Sequence, residues 1–296
     1  MAASSSRHPE EQYLDLCREI LEHGEDRNTR NGKTRSIFGA KMVYSLEDGV
    51  IPFLTTKRLA WRSVIKELLW FLRGDTDART LQAQGVRIWD GNSTREFLDK
   101  TGLHHLEEGD LGPVYGHQWR HFGAEYTTCK TDYTGKGVDQ IAEVIRLIRE
   151  DPTSRRILFS AWNPAQIHLG VLPPCHMMAQ FYFSADRKLS CQMYQRSGDV
   201  GLGVPFNIAS YAVLTYILAR LTGTTPGRLI HIIGDSHIYS DHVDALREQV
   251  TRTPKPFPHI KIRDDKEFTR VEDFTMEDFE IIGYECHGEI KMKMSA

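Results

Sequence analysis

Cys175 stands in LPPCHMM, after two prolines and before a histidine. Prolines fix φ and stiffen the approach to the thiol. A thiol held in place is what nucleophilic catalysis requires. Further along, QRSGDVGLGVPFN gathers Arg196, Ser197, Gly198, Asp199, Gly201, Gly203, Pro205 and Asn207 within thirteen residues. Its three glycines and one proline read as a loop or sharp turn. Arginine and serine donate to phosphate, and an arginine beside a thiol lowers its pKa. The asparagine amide sets an acceptor beside a donor, which is the pattern of a pyrimidine edge.

Glu67 lies in KELLWFL, at the margin of an apolar stripe. Desolvation there raises a carboxyl pKa and suits it to proton transfer. Arg155 and Arg156 open RRILFS, and they form an anion clamp if other arginines converge on them. Trp89 and Asn92 in VRIWDGN, and Tyr115 and Trp119 in GDLGPVYGHQWRHFG, set aromatic rings beside glycines, as a platform for a flat heterocycle would. His237 and Tyr239 in GDSHIYSDH are two apart and share a face of an extended chain. No H-x-E or C-x-x-C pattern accompanies them, so no metal site is expected. Taken singly, each feature has a plainer alternative. A lone cysteine packs as a small apolar residue, Glu67 snorkels at a helix rim, the arginines cap a solvated strand, and the glycines form a surface loop.

The elements that must position these groups are partly readable. In WRSVIKELLWFLRG, Trp61, Val64, Ile65, Leu68, Leu69 and Leu72 recur at steps of three and four, and Gly74 follows as a C-terminal glycine. VDQIAEVIRLIRED carries Ile141, Val144, Ile145 and Ile148 on one face, with Pro152 beyond it. NIASYAVLTYILARLTG is apolar on most sides, which predicts a buried helix. RRILFSAW, a hairpin in MMAQFYFSADRKLSCQMYQ around SADRK, and RLIHIIGDSHIYS read as strands. Irregular alternation of these elements predicts an α/β (α+β) fold with a large mixed sheet and packed helices. No linker or repeat divides the chain, so one domain is expected over residues 11–296, after a flexible tail over residues 1–10.

The 296 residues include 37 Lys plus Arg and 40 Asp plus Glu, a net charge of −3, with 40% hydrophobic residues. That balance excludes a disordered chain and one that holds nucleic acid by bulk positive charge. The five cysteines are odd in number, and the N-terminus has no apolar leader. Free thiols, a reducing compartment and a cytoplasmic location are expected. The most apolar stretch, AVLTYILARL, reads as too short to span a bilayer.

Assembled, these segments resemble the thymidylate synthase family from about Tyr13 to Ala296. The resemblance rests on SIFG, FLTTKR, ELLWFLRGDT, IWDGN, GDLGPVYGHQWRHFGAEY, SRRILFSAWNP, LPPCH, LSCQMYQRSGDVGLGVPFNIASY, GDSHIYSDH and EDFEIIGYECHGEIKMKMSA. HFGAEY and DYTGKGVDQ look like its eukaryotic or viral branch. The resemblance implies a homodimer packed sheet to sheet, and reductive methylation of dUMP to dTMP. Methylenetetrahydrofolate would be both carbon and hydride donor, without metal, NAD or flavin. A hydroxymethylase on the same fold, or a non-catalytic homologue that binds nucleotide or RNA, are the alternatives. The dCMP enzymes of the family carry Asp where this chain has Asn207.

Carried over by motif, Cys175 is implied to add to the pyrimidine, with Arg196 favouring its thiolate. Glu67, Tyr115 and His176 are implied to relay protons. Arg196 and Ser197 would hold the dUMP phosphate, with Arg155 and Arg156 reaching across from the partner, and Gly198 would line the dUMP site. A last arginine falls on Arg30, with Arg27 and Arg35 as alternatives, because EDRNTRNGKTRSIFG departs in length from the family's loop. Asn207 would read the base, and His237 and Tyr239 would hold the ribose. Asp199 would bind the pterin, with Ile88, Trp89, Asn92, Leu202, Gly203 and Phe206 lining that side. The C-terminal segment would close over the complex, with Ser295 near the folate.

Overall fold

A computed structural model describes residues 7–294. Strands β1 (Glu25–Thr29), β2 (Gly32–Ser45), β3 (Leu158–Ser160), β4 (His176–Phe183), β5 (Lys188–Asp199) and β6 (Thr225–Tyr239) form one sheet in the order β1-β2-β6-β5-β4-β3. β5 and β6 run parallel and every other pair is antiparallel, so the sheet is mixed as expected. β7 (His259–Ile262) and β8 (Phe279–Ile282) form a separate two-stranded sheet.

The helices are α1 (Glu11–His23), α2 (Trp61–Leu72), α3 (Ala78–Gln82), α4 (Asp90–Ser93), α5 (Arg95–Lys100), α6 (Tyr115–His121), α7 (Gln140–Glu150), α8 (Gly203–Thr222) and α9 (Val243–Gln249). The stripe of α2 is buried from Val64 to Leu72, with Trp61 partly buried, and Gly74 ends the turn beyond it at φ 74°. α8 is the crossover between β5 and β6, and it packs on both strands. It is apolar all round because the sheet covers one side and α2 another.

α8 corrects two expectations. It begins at Gly203, ahead of Asn207, because Pro205 sits in the first turn, where no N–H is needed. The glycine-rich segment is therefore not one loop: Gln195–Asp199 end β5, and only residues 200–202 turn. At 20 residues α8 is also long and apolar enough to cross a bilayer, which the shorter reading of this stretch missed. Burial within the core accounts for that composition, since 83% of its most apolar window is covered.

Two further segments differ from expectation. The strand in RRILFSAW shrinks to Leu158–Ser160, leaving Arg155 and Arg156 in the preceding turn. The stretch around Arg30, expected as a loop, is the hairpin β1–β2, whose strands pair from Glu25↔Ser36 to Thr29↔Gly32. β1 is polar and wholly exposed, so no apolar alternation announced it.

Of the expected tail, residues 1–6 lie outside the described residues. Glu10 is fully buried and ties the chain to the segment before α2. Its carboxylate accepts from Thr55 N (2.9 Å), Thr55 Oγ1 (2.6 Å), Thr56 N (2.8 Å) and Thr56 Oγ1 (2.6 Å). Truncation to alanine strands these donors in the interior, where each orphan costs about 1–3 kcal/mol. Glu10→Ala is expected to lower unfolding free energy by roughly 3 kcal/mol in denaturant titration. A loss below about 0.5 kcal/mol would show that the threonines find other partners.

Candidate active site

Strand register gathers one end of the sheet into a site. β4 starts where β5 ends, with His176 opposite Gln195, and β6 ends alongside, with Asp199 opposite His237. Tyr239 lies opposite Thr34, which brings the β1–β2 turn to the same end. Cys175, Arg196–Asp199, His237, Tyr239 and Arg30 are thus delivered by separate elements to one edge. That edge includes the carboxyl ends of the two parallel strands, where α/β sheets bind ligands.

Arg196 is fastened to the thiol's own loop. Its N–H donates to Cys175 O (2.8 Å), its Nε to Pro174 O (2.9 Å) and one terminal nitrogen to Pro173 O (2.9 Å). That nitrogen also lies 3.9 Å from Cys175 Sγ. The guanidinium rests over Trp162, 5.5 Å from the ring centre. Burial pushes the Cys175 thiol up, and Arg196 pulls it partly back. The arginine acts on the thiol in the expected direction, and desolvation is the larger effect.

Behind the thiol, Tyr115 and His176 stack at 3.9 Å with planes 5° apart. Tyr115 OH accepts from Cys175 N (2.8 Å), and burial raises its pKa well above the usual phenol value. His176 Nδ1 meets Tyr211 OH at 2.8 Å. Burial drives the His176 pKa down to about 3, so its imidazole is neutral at pH 7. Glu67 is 7% exposed on α2 and accepts from Trp89 Nε1 at 2.8 Å. Its pKa is raised to about 7 by burial, against the hydrogen bond from Trp89. Glu67 is thus a buried carboxyl poised to gain or lose a proton near neutrality, rather than a rim glutamate.

Asp199 Oδ1 accepts from Gly201 N (2.9 Å) and Leu202 N (3.3 Å), which shapes the turn into α8. Asn207 lies beside that turn, so a Cβ at Gly203 would sit 3.7 Å from its Oδ1 and 3.8 Å from Asp199 Cβ. Gly198 has no room for a side chain: a Cβ would meet Ile233 at 2.9 Å and Val204 at 3.0 Å. Ser197 O accepts from Gln195 Nε2 (3.0 Å). His237 Nδ1 meets Asp235 Oδ1 (3.1 Å), and the His237 ring packs edge-on against Tyr239 at 5.2 Å. Phe206 and Ile88 are partly buried against the core, while Trp89 and Asn92 are buried. Asn92 Nδ2 has no hydrogen-bond partner among the described residues.

Among the three candidate arginines, Arg35 is committed to Asp26 (2.8 Å) and to Leu21 O (2.9 Å). Arg27 faces Glu25 (3.6 Å) and Asp235 (3.7 Å). Arg30, at the hairpin turn, bonds only Asn31 Oδ1 (3.1 Å) among the described residues. Arg155 and Arg156 are not brought to this edge. They lie alongside the far half of β4, where Phe181 N bonds Ile157 O (2.8 Å) and Gln180 Nε2 bonds Arg155 O (3.0 Å). That is roughly 20 Å along the strand from Cys175. Ser295 lies outside the described residues.

Lys57 and His242 escaped the sequence reading. Lys57 is buried, donates to Gly201 O, and is pushed down to about 8 by burial. A lysine inside the apolar run IPFLTTKRL was a visible signal. His242 is the second histidine of GDSHIYSDH, and its spacing carried none. No group of three or more metal-ligating side chains is assembled among the described residues.

The raised pKa of Glu67 has a stability consequence. Between about 4.5 and about 7 the folded chain keeps a proton that the unfolded chain has lost. Stability therefore falls as pH rises through that window, and the full cost is present above it. Glu67→Gln is expected to be the more stable protein at pH 8, by up to about 3 kcal/mol, with the difference vanishing near pH 4.5. Equal denaturation midpoints at pH 8 would refute a desolvated carboxylate at this position.

Comparison with known proteins agrees with the geometry. The family described as Thymidylate synthase matches residues 11–296. Thymidylate synthase 1/2 of Encephalitozoon cuniculi is 56% identical over 291 residues, covering 98% of this chain and 98% of that protein. Thymidylate synthase of Saccharomyces cerevisiae is 52% identical over 305 residues, covering 100% of both. A bifunctional dihydrofolate reductase-thymidylate synthase of Zea mays is 54% identical over 290 residues, which is 98% of this chain and 55% of that protein. Identity above one half along the whole chain, over a site built from these motifs, leaves one conclusion: the chain belongs to the thymidylate synthase family.

Proposed function

We infer that this chain catalyses the thymidylate synthase reaction, converting dUMP to dTMP with methylenetetrahydrofolate as carbon and hydride donor. The observation that carries the reading is the pairing of Cys175 with Arg196, set beside the buried, near-neutral Glu67 and its Trp89 partner.

Cys175 as thiolate adds to carbon 6 of the uracil, and the displaced electron pair makes carbon 5 nucleophilic. Arg196, held 3.9 Å from the sulfur, stabilises the anion at that step. Carbon 5 then bonds the folate methylene as the bond from that carbon to one of its two bridging nitrogens breaks, and the freed nitrogen takes a proton. Loss of the carbon 5 proton expels the folate nitrogen, hydride transfer from tetrahydrofolate completes the methyl group, and the sulfur leaves carbon 6. Glu67 is the group fit to move protons in both directions, because its pKa stands near 7. Tyr115 keeps its proton and positions the thiol through Cys175 N. His176 is neutral and acts by stacking on Tyr115 rather than as a cationic acid.

Asn207 reads the uracil edge with its amide, and His237 and Tyr239 take the ribose. Arg196, Ser197 and Arg30 take the phosphate, with Arg155 and Arg156 supplied from one protomer to its partner, and Gly198 lines the dUMP site. Their distance from their own thiol supports that exchange. So does the exposure of Phe38 (84%), Leu158 (39%) and Tyr182 (69%) on strands of the sheet, which would be covered in a homodimer. Asp199 takes the pterin, with Ile88, Trp89, Asn92, Leu202, Gly203 and Phe206 around it. The unpartnered Asn92 Nδ2 supports a polar ligand there.

The direct test is formation of dihydrofolate, followed by absorbance, from dUMP and methylenetetrahydrofolate with dCMP in parallel. Wild type is expected to turn over dUMP. Cys175→Ser is expected to lose at least about a thousandfold in rate while keeping dUMP affinity within a few-fold. Turnover by the serine variant within tenfold of wild type would refute the nucleophile.

Shared sites are tested by mixing two inactive chains. Cys175→Ser and the double variant Arg155→Ala, Arg156→Ala, unfolded and refolded together, form heterodimers with one complete site. Activity is expected to return to about a quarter of wild type by random assortment. No recovery would place both arginines outside the partner's site.

A further inference from the structure

His242 is fully buried at the junction of β6 and α9, and three parts of the chain meet on it. Its Nε2 lies 2.7 Å from the carbonyl oxygen of Lys293, in the C-terminal segment. A carbonyl only accepts, so Nε2 carries a proton. Its Nδ1 faces Asp199 Oδ1 at 3.7 Å and has no hydrogen-bond partner. The space between is closed. A Cβ at Gly201 would stand 2.8 Å from His242 Nδ1, 3.0 Å from Met292 Sδ and 3.3 Å from Asp199 Oδ1. The turn after β5, the His242 ring and residues 292–293 therefore touch at one point.

We propose that His242 is a positioning residue that ties Asp199 to the C-terminal segment, holding that segment down while the imidazole carries both of its protons. The proposal rests on the folate-side reading given above and deepens it. In the neutral ring the Nδ1 lone pair faces a carboxylate, which is repulsive. A proton there turns the contact into an ion pair, and it also strengthens the Nε2–H bond to Lys293 O, since a charged donor binds about twice as strongly as a neutral one.

The surroundings favour that charge. Burial opposes it, but the Asp199 carboxylate, the Lys293 carbonyl and Asp241 outweigh the cost and raise the His242 pKa. The other titratable groups at this point are few. Tyr239 packs edge-on at 5.6 Å. Tyr13 donates to Val200 O (2.9 Å) from α1. Burial raises both phenols, so both stay neutral. Lys57 reaches Gly201 O and titrates near pH 8. Lys293 itself adds a charge on the segment. A charged His242 pairs with Asp199, the group proposed to accept hydrogen bonds from a pterin, and seats the segment that closes over it. One side chain thereby links ligand capture to closure.

The test digests the full-length chain, without folate, from its C-terminus with a carboxypeptidase at pH 6 and pH 9. Wild type is compared with His242→Gln, which keeps a donor for Lys293 O but carries no charge. The variant is expected to be trimmed about fivefold faster than wild type at pH 6, and at the same rate at pH 9. Using a ratio cancels the protease's own pH profile and the titration of Lys57, which both proteins share. At pH 7 the variant is also expected to raise KM for methylenetetrahydrofolate several-fold, with KM for dUMP within twofold. A merely structural histidine would shift both constants together and give a ratio independent of pH. A flat ratio between pH 6 and 9 overturns the proposal whatever the kinetics show. The folate reading fails separately, by an unchanged folate KM in Asp199→Asn, and that failure leaves the digestion result readable.

Discussion

The parallel pairing of β5 with β6 is the constraint from which the site follows. Parallel strands cannot be joined by a tight turn, so the chain must leave the end of β5, cross the sheet and return. α8 is that crossing, and its burial explains why it is apolar on every side. The cost is a sheet edge where two strands end together and a helix begins. β4 is antiparallel to β5, so its first residues arrive at the same edge. Cys175 precedes β4, Arg196–Asp199 end β5, Asn207 lies in the first turns of α8, and His237 and Tyr239 end β6. No long-range coincidence is needed to gather them.

Charge at this edge is managed by burial more than by pairing. Desolvation pushes each group toward its neutral form: Cys175 up, Glu67 up to about 7, His176 down to about 3, Lys57 down to about 8. Opposing contacts then set how far each goes. Arg196 opposes the shift of Cys175, Trp89 that of Glu67, and Cys17 followed by Asp199 that of Lys57. His242 is the exception, where the carboxylate side wins over burial. Burial thus holds Glu67 and Lys57 close to a change of protonation and keeps His176 neutral, at some expense of stability, and that is the usual trade at catalytic positions.

The parts legible in the sequence were those with strong local periodicity or a chemical anomaly. The stripe of α2, the β4–β5 hairpin and the apolar α8 announced themselves by spacing, and Glu67 by being a carboxyl against that stripe. The β1–β2 hairpin did not, because β1 is an exposed polar edge strand held by its partner's backbone rather than by a core. Glycines 198, 201 and 203 misled for a related reason. They read as turn residues, yet Gly198 lies within β5 and is excluded from carrying a side chain by Ile233 and Val204, residues far off in the chain or across the turn. His242 meets Gly201 and the C-terminal segment, so nothing in its own neighbourhood marks it, whereas Lys57 was marked by the apolar run around it.

The placement of Arg155 and Arg156 supports the two-chain site proposed above. An arginine pair roughly 20 Å along β4 from its own thiol has no use at that thiol, since a side chain spans only a fraction of that length. Both side chains are exposed, and neither pairs with a carboxylate among the described residues. Unpaired cations at a sheet edge, beside exposed Leu158 and Tyr182, describe a surface built to meet something anionic and something apolar together. A second copy of this chain would offer both, an apolar strand face and the edge proposed to bind phosphate. In the homodimer proposed above, two-fold symmetry would give each site what its own chain places out of reach, so that association would complete the chemistry as well as cover the sheet.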